Sequence, residues 1–351
     1  MLETISIGGR KIGKAHPVFI VAEAGVNHNG DVKLALELIR KAKACGADCV
    51  KFQTFKAGSV VTRKAPKAAY QLEVTDRAES QLEMLKKIEL PEGCYPELMG
   101  LCEDLGIRFL STPYNFADVD LLNRHGVSAF KIASGQIVET PLLEYVAKIG
   151  KPVIVSTGMA TLAEIQEGLG AIRQAGNDQA VLLQCTTNYP SRIEDSNIRA
   201  MVALGAALEV LVGYSDHTQS DIPALAAVAL GAVVIEKHFT LDRTLPGPDH
   251  SCSLEPQDLA RFVRSIRSVE EALGSCDKAP TEAERRNMLG MRRSIVAVRD
   301  IPAGTSIALG DVEFKRPAVG LEPKRLRQVL GQKAKVDILA DTPLTAEMID
   351  W

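Results

Sequence analysis

The stretch LVGYSDHTQSDIPALAAVALGAVVIEKHF, from Leu211 to Phe239, is the clearest indication of the fold in this sequence. It contains two apolar runs, which end in Ser-Asp-His and Glu-Lys-His, joined by a helical segment rich in Ala, Leu and Val. Strand, helix and strand in this order form a parallel pair, and the carboxyl ends of parallel barrel strands form the functional face. The stretch therefore predicts that His217 and His238 share one barrel mouth. A single histidine would also be consistent with an ordinary loop or core residue.

The same pattern recurs along the chain. Eight apolar runs that end in polar residues fall within about 270 residues, which is the size of a (β/α)8 TIM barrel: PVFIVAEAG, ADCVKFQTF, GIRFLSTP, SAFKIASG, KPVIVSTG, AVLLQCTTNYP, EVLVGYSDH and AVVIEKHF. We expect the barrel over residues 1–275, a charged linker over 276–291 and a small, mostly β domain over 292–351. The connection from Lys56 to Glu89 is unusually long, which is typical of a lid or a substrate-gripping insertion.

Composition narrows the class of partner. The formal charge of −3 gives no basic footprint for nucleic acid. Seven cysteines without a CxxC pair indicate free thiols and neither a disulfide framework nor a zinc cluster. The amino end lacks the apolar core of a signal peptide, and the longest apolar run is too short to span a membrane. We expect a soluble, cytoplasmic protein that acts on a small molecule.

Polar residues at the strand ends predict an anion site. Because side chains alternate across a strand, Lys51 lies on the same face as Gln53, and Lys131 ends the fourth run. One lysine would equally suit a solvated side chain or a Schiff base. Two lysines among strand ends that carry hydroxyls favour a phosphate-bearing ligand.

The remaining candidates are a metal pair and two carboxylates. His217 and His238 suit a divalent ion whose other positions stay open to water and substrate. Glu23 ends an otherwise apolar run, so it forms either a structural ion pair, with Lys51, or a substrate or proton-handling group. Asp249 follows the eighth run in PGPDHS and is either a plain turn residue or a group that reaches the mouth.

An ordered set of motifs resembles the N-acetylneuraminate (sialic acid) synthase family over nearly the whole chain: AEAGVNHNG, VKFQTF, STPY, FKIASG, STGM, YSDHT, IEKHFTLD, GPDHSCSLEP and KRP. The resemblance implies a TIM barrel joined to an antifreeze-like (SAF) domain in a domain-swapped homodimer. It also implies an enzyme that condenses phosphoenolpyruvate with N-acetylmannosamine and water. The products are N-acetylneuraminate and phosphate, and the C–O bond of phosphoenolpyruvate is cleaved.

The resemblance further implies roles for single residues. Glu23, His217 and His238 would be catalytic, and the two histidines would hold a divalent metal that polarises the sugar aldehyde, with Mn²⁺ preferred and Mg²⁺ or Co²⁺ as alternatives. Phosphoenolpyruvate would be bound by Lys51, Thr112, Lys131, Ser134, Gly135, Ser156 and Ser215. The sugar would be bound by Gln53, Tyr189 and Asp249, and by Arg316 from the partner subunit.

Two positions depart from the family pattern, and other functions stay open. Thr187 replaces an asparagine that some members place near the phosphate, and Arg292 replaces an aromatic residue just before SIVA. Synthases of legionaminic or pseudaminic acid share most of the motifs, whereas APKAAYQ and ESQLEMLKK favour the neuraminate type. From another class, the antifreeze-like tail suggests an ice- or glycan-binding module. Such a module has no need for lysines, histidines and a carboxylate at one mouth.

Overall fold

A computed structural model describes residues 2–351 and divides them into two compact units, one up to Gly274 and one over Ser275–Trp351. The first unit is built on ten strands: β1 (Thr4–Ile7), β2 (Arg10–Gly13), β3 (Phe19–Gly25), β4 (Cys49–Thr54), β5 (Arg108–Pro113), β6 (Phe130–Ile132), β7 (Val153–Ser156), β8 (Ala180–Cys185), β9 (Leu211–Asp216) and β10 (Val234–His238). The last eight strands are parallel in the order β5-β4-β3-β10-β9-β8-β7-β6, and β5 and β6 contact each other. The predicted TIM barrel is confirmed.

Helices follow the barrel strands and cover the outside of the sheet: α1 (Val32–Ala44), α2 (Ala57–Val60), α3 (Ala69–Val74), α4 (Gln81–Lys87), α5 (Tyr95–Leu105), α6 (Phe116–Arg124), α7 (Thr140–Lys148), α8 (Leu162–Gln174), α9 (Ile198–Leu208), α10 (Ile222–Ala229) and α11 (Pro256–Leu273). Sequence signals explain their ends. Asp31 caps the start of α1, and Thr161 with Glu164 forms a capping box at α8.

The barrel interior has two layers of opposite chemistry. The lower layer is apolar and consists of Phe19, Val21, Cys49, Leu110, Ala129, Ile154, Val181, Leu183, Leu211 and Val234. The upper layer takes one residue from each strand: Glu23, Lys51, Thr112, Lys131, Ser156, Cys185, Ser215 and Glu236. Each upper residue follows the inward-facing lower position of its strand by two residues, since side chains alternate along a strand; in β9 that lower position is Gly213.

A hairpin that the sequence patterns did not predict accompanies the lower layer. Strands β1 and β2 pair antiparallel, and their side chains Ile5, Ile7 and Ile12 are buried in the same cluster as Phe19. The hairpin therefore adds apolar surface to the end of the barrel opposite the mouth.

The long connection after β4 folds into α2, α3 and α4. Inside it, the buried ammonium of Lys67 lies 3.0 Å from Glu79 Oε1 and 2.9 Å from Thr75 Oγ1, so the segment is held together by its own ion pair. An apolar cluster of Val26, Phe55 and Ile88 joins it to the strand ends at the mouth.

The second unit contains α12 (Glu282–Met291), β11 (Ser294–Ala297), β12 (Val312–Lys315), α13 (Leu326–Val329), β13 (Lys333–Ala334) and β14 (Ile349–Asp350). The pairs β11–β12 and β13–β14 are antiparallel around a separate small core that includes Ile295 and Ile338. Helix α12 lies within the segment expected as a linker. Its capping box, Thr281 with Glu284, explains why this charged stretch is helical. Across residues 2–351, none of the helices has the length and apolar character needed to cross a membrane.

Candidate active site

A cavity of about 590 Å³ opens at the carboxyl ends of the barrel strands. It brings together thirteen of the fourteen residues expected at the site: Glu23, Lys51, Gln53, Thr112, Lys131, Ser134, Gly135, Ser156, Tyr189, Ser215, His217, His238 and Asp249. The fourteenth, Arg316, is an exposed residue of the second unit and is outside the set that lines this cavity. Arg292 is also exposed in the second unit, at the end of α12.

Four buried charged groups form the floor of the cavity. Lys51 Nζ lies 2.8 Å from Glu23 Oε2 and 3.6 Å from Glu236 Oε2. Lys131 Nζ lies 3.5 Å from the other oxygen of Glu236. All four side chains are at most 5% exposed, so each charge depends on the others for compensation. The ion pair between Glu23 and Lys51, one of the two expected alternatives, is present.

The two carboxyl groups of this cluster differ in proton affinity. Burial raises the pKa of Glu23 to about 7, against the opposing effect of Lys51. Burial acts in the same direction on Glu236, but there the ammonium groups of Lys131 and Lys51 outweigh burial and lower the pKa to about 2. Near neutral pH Glu236 is thus a carboxylate, and the Glu23 carboxyl group exchanges its proton readily. Against burial, Glu23 and Glu236 raise the pKa of Lys51, whereas burial lowers the pKa of Lys131 against the opposing effect of Glu236. With both lysines protonated the cluster carries a net positive charge, which suits an anion.

Hydroxyl groups surround the lysines. Lys131 Nζ donates to Ser156 Oγ at 2.7 Å, and Lys51 Nζ donates to Thr112 Oγ1 at 3.2 Å. Ser215 Oγ donates to Glu236 Oε1 at 3.0 Å, and the backbone N–H of Gly158 donates to Ser134 Oγ at 3.0 Å. These groups supply both charge and hydrogen-bond donors to one end of the cavity.

Thr187, one of the two departures from the family pattern, lies beside these hydroxyl groups. Its Oγ1 is buried without a hydrogen-bond partner among residues 2–351. A Cβ at position 158 would lie 2.2 Å from this oxygen, so Gly158 is needed for the close approach. The hydroxyl of Thr187 is therefore available to a ligand at this end of the cavity.

The two histidines lie next to each other, with ring centroids 5.4 Å apart. His217 Nδ1 donates to the carbonyl of Thr186 at 2.7 Å, so the lone pair of the ring is on Nε2. Ser215 Oγ lies 3.4 Å from this Nε2, but its hydroxyl proton is donated to Glu236, so the lone pair of Nε2 is not used. His238 Nδ1 is buried without a hydrogen-bond partner among the described residues, 4.0 Å from Asp249 Oδ2. Burial lowers the pKa of both imidazoles, that of His217 to about 4, so both are neutral near pH 7.

Neutral imidazoles with free lone pairs fit a divalent metal ion. Within residues 2–351, no group of three or more His, Cys, Asp or Glu side chains is placed to hold such an ion. The donor set therefore fits an ion that takes two nitrogens from the chain and leaves its other positions to water and substrate.

The other end of the cavity combines amide, phenol and carboxyl groups. Tyr114 OH donates to Gln53 Oε1 at 3.1 Å, and this bond directs the amide nitrogen toward Glu23 Oε1, 3.5 Å away. A Cβ on Gly25 would lie within 3.6 Å of Glu23, Gln53 and Asp249, so this glycine leaves room where the three side chains converge. Burial raises the pKa of Asp249 to about 6.

Tyr189 covers the histidines, with its ring centroid 4.2 Å from that of His217 and 5.5 Å from that of His238. On its far side it meets Tyr70 of the insertion at 5.1 Å. The insertion thus contributes directly to the cavity wall.

The sequence analysis assigned no role to Glu236, Tyr70 or Tyr114. Alternation along β10 does place Glu236 on the face of His238, two residues before it, with Lys237 turned away, but it gives Glu236 no partner. Tyr114 is two residues after Thr112 at the end of β5, so the same alternation indicates it. Tyr70 reaches the cavity through the path of the long insertion, which no local pattern predicts.

Comparison with known proteins agrees with this geometry. The profile described as NeuB family matches residues 38–278, and the profile described as SAF domain matches residues 292–350. The chain belongs to the NeuB family. The predicted membership is confirmed.

Three relatives illustrate the range of NeuB-family proteins. The N,N'-diacetyllegionaminic acid synthase of Campylobacter jejuni is 47% identical over 90% of this chain and 95% of its own length. The N-acetylneuraminate-9-phosphate synthase of Homo sapiens is 37% identical over 97% and 95%. The crystal structure of the N-acetylneuraminic acid synthetase of Leptospira borgpetersenii in complex with citrate is 34% identical, with a TM-score of 0.72 over 81% of this chain and 94% of that one.

Proposed function

We propose that the protein condenses phosphoenolpyruvate with an unphosphorylated 2,4-diacetamido hexose and water, and so makes a nonulosonic acid of the legionaminic type and phosphate. The buried cluster of Lys51, Lys131, Glu23 and Glu236 beside two neutral histidines carries this proposal. It offers a net positive pocket for a small, highly charged anion next to a place for an aldehyde.

Phosphoenolpyruvate binds at the lysine end. Its carboxylate and phosphate accept from Lys51 and Lys131 and from the surrounding hydroxyls, which are contributed by Thr112, Ser134, Ser156, Thr187 and Ser215 together with the backbone at Gly135. Because Glu23 already occupies Lys51, the arriving anion competes with this carboxylate, whose raised pKa allows it to take up a proton instead.

The reaction balances without an external acid or base. C3 of phosphoenolpyruvate attacks the aldehyde carbon of the sugar, and the carbonyl electron pair becomes an alkoxide. Water adds at C2, and collapse of the adduct leaves a ketone and expels phosphate with its bridging oxygen. One proton of the water goes to the alkoxide and the other to phosphate. Glu23, which exchanges protons near neutral pH and lies 3.5 Å from Gln53, carries the proton to the alkoxide oxygen.

His217 and His238 would hold a divalent metal ion, with Mn²⁺ as the first candidate. Such an ion polarises a bound carbonyl as a Lewis acid. The chain's own part is to keep both imidazoles neutral by burial and to fix the ring of His217 through Thr186.

Two observations support an unphosphorylated diacetamido sugar. The described lining of the cavity has two ammonium groups, Lys51 and Lys131, and both are at its floor, so the only cation at the sugar end would be the Arg316 proposed below to come from the partner subunit. The insertion adds apolar side chains to the wall, Val60, Val61, Met84 and Leu85, which suit the methyl groups of acetamido substituents. The higher identity to a legionaminic acid synthase, 47% against 37% for a synthase of a sugar phosphate, points the same way. N-Acetylmannosamine is the second candidate because of the 34% identical Leptospira synthetase.

The test is phosphate release from phosphoenolpyruvate with each candidate hexosamine. We expect the highest kcat/KM with the 2,4-diacetamido hexose, a lower value with N-acetylmannosamine and the lowest with its 6-phosphate. Phosphoenolpyruvate labelled in its bridging oxygen should pass the label to phosphate. Failure of every hexosamine to release phosphate would refute the proposal.

We also propose a domain-swapped homodimer in which Arg316 of the partner subunit reaches the sugar. Large apolar side chains stand exposed just beyond strand ends at the mouth: Phe116 is 47% exposed, Met159 72% and Ile222 63%. Such a rim is typical of a surface that another polypeptide covers.

Arg316→Ala and His238→Ala homodimers should each be nearly inactive. Random mixing should restore about a quarter of wild-type activity, because half of the dimers are mixed and each has one intact site. Mixed dimers without recovery would exclude the swap.

A further inference from the structure

We propose that Asn27 is a positioning residue that fixes Asp249 and the end of β10 in the sugar half of the active site. Asn27 follows β3, is 1% exposed and does not line the cavity. It lies where the loop after β3 meets the segment Phe239–Leu254, which links β10 to α11. The inference deepens the proposed function, on which its kinetic consequences rest.

The amide nitrogen of Asn27 makes two bonds to that segment. Nδ2 donates to the carbonyl of Phe239 at 2.9 Å and to Ser253 Oγ at 2.9 Å. Ser253 Oγ in turn donates to the carbonyl of Asp249 at 2.5 Å. One side chain therefore joins the residue after His238 to the residue that carries the Asp249 carboxyl group.

A second asparagine of the same loop bonds to His250, the residue next to Asp249. His250 Nε2 donates to Asn29 Oδ1 at 3.2 Å, and His250 Nδ1 accepts from Thr240 Oγ1 at 2.7 Å. A Cβ at position 247 would lie 2.7 Å from the ring of His250, so Gly247 permits this packing. The segment is thus tied to the β3 loop on both sides of Asp249.

The carbonyl oxygen of Asn27 makes no bond of its own to the described residues, so the contacts of this amide come from Nδ2 alone. Oδ1 is buried and has no hydrogen-bond partner among residues 2–351. A buried acceptor left unpaired costs free energy, and an apolar side chain of similar volume would avoid that cost. The two directed bonds of Nδ2 are what an apolar side chain cannot supply.

The consequence for the site is one of geometry. Asp249 Oδ2 lies 4.0 Å from His238 Nδ1 and converges with Glu23 and Gln53 around Gly25. Small displacements of such groups reduce rates strongly, because the bound substrate must meet all of them at once. Loosening the segment should therefore affect the sugar more than phosphoenolpyruvate, which binds to Lys51 and Lys131.

The experiment compares Asn27→Asp, which keeps the shape but removes both donor bonds, with Ser253→Ala, which removes the bonds of Ser253 to Asn27 and to Asp249 and keeps the bond from Asn27 to Phe239. Asn177→Ala is the matched control: Asn177 is equally buried and donates to the carbonyls of Lys151 and Ala147, far along the chain from the site loops. The Thr240 amide donates to the carbonyl of Leu254, and the Leu254 amide donates to the carbonyl of His238 at the end of β10. Hydrogen exchange of these two amides measures how firmly the segment is held, without reference to any reaction.

We expect Asn27→Asp to speed exchange of both amides at least tenfold and to lower kcat/KM for the sugar at least tenfold. KM for phosphoenolpyruvate should change less than threefold. Ser253→Ala should show the same pattern to a smaller extent, and Asn177→Ala should lower the Tm without either change. Unchanged exchange in Asn27→Asp, or equal losses for both substrates, would overturn the inference. A wild type that used no hexosamine, together with faster amide exchange in Asn27→Asp, would be a separate result. That result would refute the proposed function and leave intact the inference that Asn27 holds the segment in place.

Discussion

The lower and upper layers of the barrel interior use the same eight strands and the same face, yet they differ completely in chemistry. On β7, Ile154 belongs to the lower layer and Ser156 to the upper one, and two residues separate them. The lower layer is apolar and is closed by the β1–β2 hairpin, so it gains free energy from burial. The upper layer buries Lys51, Lys131, Glu23 and Glu236, whose desolvation offsets much of their mutual attraction.

The difference between the layers places the functional groups in the upper layer, at the carboxyl ends of the strands. Carboxyl groups buried beside the cavity have shifted pKa values: that of Glu23 is raised to about 7, and that of Glu236 is lowered to about 2. Bound phosphoenolpyruvate would complete the balance of charge that the chain leaves open. Substitutions in the two layers should accordingly separate stability from activity.

The largest effect is expected for His217→Ala. Loss of one imidazole removes half of the nitrogen donors, so kcat/KM should fall roughly a thousandfold, about 4 kcal/mol, with a circular dichroism melt close to that of the wild type. Exhaustive chelation should abolish turnover and added Mn²⁺ should restore it. His125→Ala, a histidine at the end of α6 outside the cavity, is the control and should keep full activity. Turnover that survives chelation would count against the metal pair.

Substitutions in the lower layer should reduce stability and leave activity nearly unchanged. Ile154→Ala should lower the free energy of unfolding by about 2–5 kcal/mol, because it leaves a cavity in close-packed surroundings. Its kcat/KM at low temperature should stay within about threefold of the wild type. The companion Ser156→Ala removes the 2.7 Å bond to Lys131 and should lower kcat/KM for phosphoenolpyruvate about tenfold with little change in stability. If denaturant melts ranked the two variants the other way, the division into layers would be wrong.

Replacing Lys131 by Met should raise KM for phosphoenolpyruvate roughly tenfold to hundredfold, since a charge-assisted contact contributes about 1.5–3 kcal/mol. The KM for the sugar should change much less. Lys237→Met is a sharp control, because Lys237 is also buried but points outward to Asp216 at 2.8 Å. That variant should lose stability and keep its KM for phosphoenolpyruvate. Equal changes for both substrates in Lys131→Met would contradict the assignment.

The smallest effect concerns pH. Burial raises the pKa of Asp249 from 3.8 to about 6, so between these values the folded protein holds a proton that the unfolded chain releases. Stability therefore falls as the pH rises through this window and stays lower above it. Asp249→Asn should be more stable than the wild type at pH 7.5 by on the order of 2 kcal/mol, in proportion to the shift, and no more stable at about pH 3.5.

Asp242→Asn should behave in the opposite way. Hydrogen bonds from Thr244 lower the pKa of Asp242, so its carboxylate adds stability above its ordinary pKa and loses it as the pH falls. Urea melts of the two variants across pH 3.5–7.5 check both signs. A common sign for the two variants would show that burial does not set the pKa of Asp249.

Much of the site followed from the sequence because the repeat that positions it is local. A period of two along each strand placed Lys51 with Gln53 and His217 with Ser215, and the recurring strand endings placed all of them at one mouth. The apolar runs and the spacing of the helices were sufficient for the TIM barrel. The ordered motifs were sufficient for the family.

Which of these side chains contact each other follows from the folded chain and could not be predicted from local patterns. Glu236 joins Lys51 to Lys131, which come from β10, β4 and β6, and this pairing depends on closure of the barrel and not on any spacing along the chain. The tie from Asn27 to Ser253 spans 226 residues, and the contact of Tyr70 with Tyr189 depends on how the insertion folds back over the mouth. The physical reason is one of range: alternation and capping are set by neighbours in sequence, whereas charge compensation and hydrogen bonding in a buried site are set by distance in space.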